Sequence, residues 1–365
     1  MKICFDMRPS LSFPTGVGIY LQNLTRALSE IDEENEYILF SSSWKDRLTP
    51  RIYGKNFACR DLRIPVRLLT FCWNRIGWPP IEDLLRGPLD IAHSPTPLVI
   101  PSRNAHQVTT VHDLHFYSHP DEVEKEMRRD YPALVRKHCL RSDAVIAISE
   151  HTKNRLIELL KVPSSCVYVI RHGADPFFAQ PVDETAVAAT RQKLGLEAPY
   201  FLFVGSAEPR KNLPTLLAAF RDLQREALLV LAGPPGWQQQ PWKHLLTNRV
   251  KAAGYVSRED LRNLYRGAVA LVLPSREEGF GLPLLEAMSS GTPVIASDIP
   301  VFREVCNDSF YSARTDNIDD WIEAMRTVYD DSSLRGVLAD KGKARVLRYS
   351  WKETAERTLD LYRNL

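Results

Sequence analysis

The chain has 365 residues, 44% hydrophobic and 25% charged, too long for one comfortable core and suited to two α/β domains of ordinary size. A formal net charge of +2 gives no global electrostatic case for nucleic acid or a membrane as the main partner, so any anion site has to be built locally. The six cysteines, at 4, 59, 72, 139, 166 and 306, form no C-x-x-C pair and read as small buried hydrophobes of a reduced, cytoplasmic compartment.

The opening MKICFDMRPS lacks the apolar region of a signal peptide and reads as a first strand. No apolar run approaches the ~18 residues of a spanning helix. Short β-branched runs then alternate with amphipathic stretches, the pattern of parallel sheets. In the first half the strand candidates are 2–6, 37–41, 90–94, 107–111, 143–148 and 167–170, with a helical period from Val17 to Ile31. A second series begins at Tyr200 and continues at 227–233, 268–274 and 293–297, with helical stretches from Leu213, Arg258, Pro283 and Ile318. The turn-rich stretch 171–185 lies between the two series, which places the domains at 1–175 and 176–349. Residues 350–365 read as an amphipathic helix opened by a capping box, Ser350 with Glu353. Two doubly wound domains put ligands at the carboxyl ends of their strands, so a shared cleft is the expected site.

The most informative segment is PSREEGFGLPLLEAMSSGTPVIAS, 274–297. A strand ends at Pro274, an acidic glycine loop follows, and Pro283 suits the first position of a helix. Gly279 and Gly281 remove side chains, so backbone N–H groups are able to approach a ligand near a helix N-terminus that favours phosphate. Glu278 is expected in the loop and Glu286 in the first helical turn, one carboxylate for a sugar and one for ribose hydroxyls. Taken singly, Glu286 reads first as helix-dipole compensation and Glu278 as a solvated loop acid. The combination points to a ligand.

In FVGSAEPRKNLPTLLAAF, 203–220, a strand ends at Gly205 and delivers Arg210 and Lys211 just before a helix. Guanidinium and ammonium side by side suit a diphosphate, although a basic loop alone would have no such meaning. Gly16 and Gly18 join the first strand to its helix, but Leu21 stands where a dinucleotide fingerprint needs a third glycine. Tight strand-to-helix packing explains this pair as well as ligand approach does. His112 and Asp113 follow a strand, with Asp113 placed to orient the imidazole; an isolated pair of this kind is often structural. His115 and His119 have no carboxylate or cysteine at ligand spacing, and no metal site is expected.

No D-x-D, H-E-x-x-H, G-x-S-x-G or P-loop lysine motif occurs. Charge on a diphosphate would then fall to Arg210, Lys211 and helix N-termini, and a reaction without metal or other cofactor is the economical expectation. The stretch 59–87 interleaves Arg60, Arg63, Arg67 and Arg75 with Leu68, Leu69, Phe71, Trp73 and Trp78. It has two readings: contact with an anionic membrane beside a lipid-linked acceptor, or a partly buried helix with snorkelling arginines.

Taken together, GVGIY (16–20), VHDL (111–114), HGAD (172–175), PRKN (209–212), GYVSREDL (254–261) and PSREEGFGLPLLEAM (274–288) resemble the retaining glycosyltransferases of family 4 along essentially the whole chain. The last segment carries the family's E-x7-E signature as Glu278 and Glu286. The wording is similar to bacterial mannosyltransferases that use GDP-mannose in polysaccharide or O-antigen assembly. The resemblance implies a GT-B fold, two Rossmann-like domains facing each other across a cleft, with the C-terminal helix crossing back to the first domain. It implies a nucleotide-sugar donor and a saccharide or lipid-linked saccharide acceptor, while the composition and the 59–87 stretch set the expectation of a cytoplasmic protein, peripheral on the inner face of the membrane in the first reading of that stretch.

By position, the resemblance gives Arg210 and Lys211 the diphosphate and Glu286 the ribose. Glu278 with the backbone of Gly279, Phe280, Gly281 and Leu282 takes the donor sugar. His112 faces the sugar, Gly16 and Gly18 flank phosphates or acceptor, Gly205 closes the strand below the cations, and Tyr255 and Val256 lie near the base. Two positions depart from the family pattern: His172 and Ala174 replace the usual Asn and Val of N-G-V-D, and Glu208 places an acid beside the cations. The competing classes are a nucleotide-sugar epimerase on a similar frame and a noncatalytic nucleotide-sugar or glycan-binding protein. A dehydrogenase is disfavoured by Leu21.

Overall fold

The computed structural model describes residues 1–11, 16–48, 54–123, 131–234 and 244–365. It divides into two compact units, Met1–Gly173 together with Ser350–Leu365, and Ala174–Tyr349. The chain passes from one to the other after Gly173 rather than after Asp175.

The first unit runs β1 (Lys2–Asp6), α1 (Gly16–Ile31), β2 (Glu36–Ser42), β3 (Phe57–Leu62), α2 (Val66–Arg75), α3 (Ile81–Leu85), β4 (Ile91–Ser94), β5 (His106–Val111), α4 (His115–Ser118), α5 (Tyr131–Arg141), β6 (Ala144–Ala147), α6 (Glu150–Leu160) and β7 (Val167–Val169). Its seven strands are parallel in the order β3-β2-β1-β4-β5-β6-β7. The second unit runs α7 (Glu184–Lys193), β8 (Tyr200–Val204), α8 (Leu213–Asp222), β9 (Leu228–Ala232), β10 (Val250–Gly254), α9 (Arg258–Gly267), β11 (Ala270–Leu273), α10 (Leu282–Ser289), β12 (Val294–Ser297), α11 (Pro300–Cys306), β13 (Tyr311–Ala313), α12 (Ile318–Asp330) and α13 (Ser332–Val346). Its six strands are parallel in the order β10-β9-β8-β11-β12-β13. In both sheets the winding direction reverses once, between β1 and β4 and between β8 and β11. Loops leaving the two strands at such a reversal part to opposite faces and open a crevice at the carboxyl ends.

The central strands are buried on both faces, which is why β6, β11 and β12 read as continuous apolar or small-residue runs, while β4 buries His93 among Ile91, Ala92 and Ser94. The strand candidates match observed strands to within a residue or two, but β3, β10 and β13 were not anticipated. All three are sheet edges. β3 alternates half-buried with exposed positions, and Lys251 and Ser312 sit in the other two, so the apolar signal is diluted there. β3 also corrects the reading of 59–87 as one helix: Arg60 belongs to this strand, and only 66–75 and 81–85 are helical.

The last helix, α14 (Trp351–Arg363), belongs to the first unit. Trp351, Ala355, Leu359 and Tyr362 enter one cluster with Tyr20, Leu24, Ala27 and Leu28 of α1. Ser350 caps the helix by accepting the Lys352 N–H at 3.1 Å, while Glu353 pairs with Arg357, so the cap forms without the reciprocal half of the expected box. At Gly173 an added Cβ would lie 2.1 Å from the Trp351 nitrogen, so only glycine fits where the chain passes under α14. All six cysteines are free thiols; Cys4, Cys139 and Cys306 are buried, but Cys59, Cys72 and Cys166 are half-buried rather than enclosed. Among the described residues no helix is long and apolar enough to cross a membrane.

Candidate functional site

The loops leaving β8 and β11 bring the strongest sequence candidates of the second unit together. Gly205 ends β8 at φ +146, and its N–H donates to Ala232 O at 3.0 Å. Gly233 follows β9 at φ +140 and donates to Gly254 O at 2.8 Å. A Cβ on Gly233 would stand 2.3 Å from the Gly205 carbonyl oxygen, so the two strand ends lie backbone against backbone. A Cβ on Gly205 would face the Lys211 side chain, 3.5 Å from its Cε. Beyond it, Pro209–Lys211 form one turn, and Asn212 sits in the left-handed region at φ 53. The Asn212 amide donates to Thr315 O at 3.0 Å and its carbonyl accepts from Thr215 at 2.8 Å. That anchor lets the chain reverse into α8 while Arg210 and Lys211 stay at the strand end.

From the other side, the Arg276 N–H donates to Arg210 O at 2.8 Å, tying the β11 loop to the β8 loop. Glu278 then receives three donors: Arg210 Nη1 at 2.7 Å on Oε2, and Ser275 Oγ at 2.9 Å and Lys211 Nζ on Oε1. Arg210 also donates through Nε to Glu208 at 2.9 Å, and Glu208 accepts from Ser206. Burial works to raise the Glu278 pKa, but Arg210 and Lys211 outweigh it and hold the carboxyl at about 2. Burial likewise works to raise the Glu208 pKa, and Arg210, helped by Ser206 and Lys211, outweighs it and lowers the carboxyl below its ordinary value. The cluster is thus ionised, with two cations against two carboxylates. Lys211 and Glu278 are nearly enclosed, while Arg210 and Glu208 keep 19% and 25% of their side-chain surface exposed. Glu208, noted as a departure in the sequence, is the group that aims the Arg210 fork.

Glu286 lies lower on the same segment. Gly281 caps α10 at φ +97, where a Cβ would meet Leu284 at 2.8 Å and Phe302 at 3.0 Å. The helix begins at Leu282, so Pro283 takes its second position and Glu286 its second turn rather than the first. Its carboxylate accepts from the buried Tyr265 hydroxyl at 2.8 Å. Burial raises its pKa to about 7, with Asp175 adding to the rise and Tyr265 and Arg258 opposing it. Helix-dipole compensation does not describe such a group. Phe280 is buried against Tyr349, and Val256 is half-buried ahead of Ser257, which caps α9; Tyr255 beside it is 70% exposed.

In the first unit His112 follows β5. Its Nε2 lies 3.0 Å from Pro95 O; a carbonyl only accepts, so the proton sits on Nε2 and Nδ1 is the acceptor. Burial lowers its pKa to about 4, keeping the ring neutral. Asp113 instead accepts the His115 N–H at 3.2 Å, so a backbone carbonyl, not this carboxylate, orients His112. His112 packs edge-on to Tyr20, which also stacks on His172. A carboxylate does approach His115: Glu122 lies 3.2 Å from its Nε2, from the next turn of chain rather than at ligand spacing. Gly16 and Gly18 lie inside the first turn of α1, not in a loop ahead of it; Gly18 is buried, and among the described residues nothing stands within 4 Å of a Cβ on Gly16. Pro14 and Thr15 lie outside the described residues.

Sequence reasoning missed Ser275, Tyr265 and Gly233. Ser275 and Tyr265 carry no motif of their own. Gly233 had a signal, since ALLVLAG repeats the strand-then-glycine ending of YFLFVG.

The profile of the family described as Glycosyltransferase Family 4 matches residues 14–177, and that of Glycosyl transferases group 1 matches 187–345. The chain is 28% identical over 387 residues to "O-antigen chain mannosyltransferase B" of Escherichia coli, covering 100% of each. It is 30% identical over 236 residues to "D-inositol 3-phosphate glycosyltransferase" of Xylanimonas cellulosilytica, covering 60% of this chain and 57% of that protein. Among solved structures, sucrose-phosphate synthase of Thermosynechococcus elongatus superposes with a TM-score of 0.80 at 21% identity, over 100% of this chain and 98% of that one.

Proposed function

The chain belongs to glycosyltransferase family 4, with the GT-B fold of two Rossmann-like domains, and from that premise we propose that it moves mannose from GDP-mannose to a hydroxyl of a saccharide or lipid-linked saccharide, with retention at the anomeric carbon. The observation that carries the reading is the cluster of Arg210, Lys211 and Glu278 at the winding reversal of the second sheet, where a doubly wound fold receives its ligand. The choice of mannose is supported by the name of the Escherichia coli relative that matches end to end, and the choice of GDP by the resemblance of the motifs.

In the proposed reaction the bond between the anomeric carbon and the β-phosphate oxygen breaks with oxocarbenium character, and negative charge grows on the departing diphosphate. Arg210 and Lys211, already fixed by neighbours, meet that charge without reorganising. The acceptor oxygen bonds to the anomeric carbon on the same face, and its proton passes to the departing phosphate oxygen. A Glu278 carboxylate engaged by three donors and held strongly acidic is a poor nucleophile, which favours this course over a covalent intermediate. Glu286, with Tyr265 behind it, takes the ribose hydroxyls, and the neutral His112 offers Nδ1 to a sugar hydroxyl.

A donor screen tests this. Thermal shift with GDP, UDP and ADP sugars should single out GDP-mannose, and GDP should be released only when acceptor is present. Stabilisation by a different nucleotide sugar would overturn the donor. An isomerised sugar formed without acceptor would make the protein an epimerase.

A further inference from the structure

We propose that Glu208 makes the site prefer the intact donor over the nucleoside diphosphate left after transfer, and so promotes release of that product. The inference rests on the reading above, in which the diphosphate lies at Arg210 and Lys211. In a nucleotide sugar both phosphates are esterified, and each carries one negative charge. Once the sugar has gone, the terminal phosphate ionises again with a second pKa of about 6, so the product is the more negative of the two near neutral pH. A site of two unopposed cations would therefore hold the product more tightly than the donor. Glu208 sets an acid against it.

The acid is fixed in side chain and backbone. Its Oε2 accepts from Arg210 Nε at 2.9 Å, and its Oε1 accepts from the Ser206 hydroxyl. The Glu208 N–H donates to Ser206 O at 2.8 Å, and the Lys211 N–H donates to Glu208 O at 3.0 Å. Pro209 follows and keeps Glu208 extended, at φ −86 and ψ 152. A neutral acceptor would aim the guanidinium as well, because an amide oxygen takes the same Nε–H. What the carboxylate adds is charge. It adds it on the partly open side of the cluster, where Arg210 and Glu208 keep 19% and 25% of their side-chain surface exposed. Glu278 differs, since three donors neutralise it in an enclosed position.

The experiment is calorimetric titration of the full chain and of Glu208→Gln and Glu208→Ala, without acceptor, using GDP-mannose against GDP and UDP-glucose against UDP. Whichever pair the parent binds is the pair on which the test is read. Glu208→Gln keeps the acceptor for Arg210 and removes only charge, so its affinity for the free diphosphate should rise about tenfold and for the sugar nucleotide about threefold. Both gains should shrink at high salt. Glu208→Ala also loses the aim of Arg210 and should bind both ligands less tightly than the Gln variant. An acid that served only to orient Arg210 would leave the preference between donor and product unmoved. A Gln variant that binds the free diphosphate no more tightly than the parent overturns the inference and leaves the donor site standing. A parent that binds neither pair overturns the placement of the diphosphate, and the inference with it.

Discussion

Glu278 and Lys211 form a buried ion pair between the ends of β8 and β11, with 7% and 9% of their side-chain surfaces exposed. Such a pair is costly to break from one side, because the remaining charge stays out of water. Lys211→Met should therefore lower unfolding free energy by about 2–3 kcal/mol, below the usual range for a buried pair because Arg210 still faces Glu278. The double variant Lys211→Met, Glu278→Gln should recover more than half of that loss. Urea denaturation of the cycle checks this, and simple additivity would contradict it.

Glu286 supplies the second prediction. Its folded pKa of about 7 exceeds the ordinary value of 4.5, so the folded state prefers the protonated form. Its contribution to stability is complete below pH 4.5 and is lost as pH rises through 7. Glu286→Gln should match the parent in melting temperature near pH 4.5 and exceed it at pH 8, at about 2–4 °C for each kcal/mol. On the proposed donor reading, the same variant should also bind donor less well, since the carboxylate assigned there to the ribose hydroxyls is gone.

Four buried histidines of the first unit give the opposite slope. Burial lowers His93 to about 3, His112 and His138 to about 4, and His172 well below its usual value of 6.5. A base whose folded pKa is depressed gives stability that is complete above pH 6.5 and is lost as pH falls toward 4. Between pH 7 and pH 5 the first unit should lose stability while the Glu286 contribution in the second rises. Hydrogen exchange, corrected for its intrinsic pH dependence, should show β4, β5 and α14 losing protection first. His93 sits between Thr110 of β5 and Tyr362 of α14, which is why those elements should open together.

Two glycines separate backbone demand from function. Gly233→Ala would drive a Cβ to within 2.3 Å of the Gly205 oxygen at φ +140, so it should destabilise by more than about 2 kcal/mol and lower turnover by shifting the cation loop. Gly16→Ala meets nothing among the described residues and sits in a helix, so it should leave stability unchanged or raise it by up to about 1 kcal/mol. If Gly16 also lies against phosphate or acceptor, activity falls in this second variant while its melting temperature does not. Parallel melts and turnover measurements distinguish the two effects.

The sequence disclosed the buried architecture better than its borders. Central strands such as Ala270–Leu273 are apolar throughout and stand out, whereas the edge strands Phe57–Leu62, Val250–Gly254 and Tyr311–Ala313 mix polar and apolar positions and do not. The charged and glycine positions of the β8 and β11 loops were legible because their spacing relative to strand ends is unusual. Their pairing was not. That Glu278 holds both cations, that Glu208 aims Arg210, and that Tyr265 stands behind Glu286 all depend on side chains meeting across separate loops, which linear spacing does not encode.

In the proposed reaction Arg210 and Lys211 carry the charge of the departing diphosphate. The most direct test is the turnover of GDP-mannose with acceptor by Lys211→Met, measured at a temperature where circular dichroism shows the variant folded. The kcat of this variant should be lower by about 10²–10³. A folded variant that turns over at close to the parent rate would contradict that role.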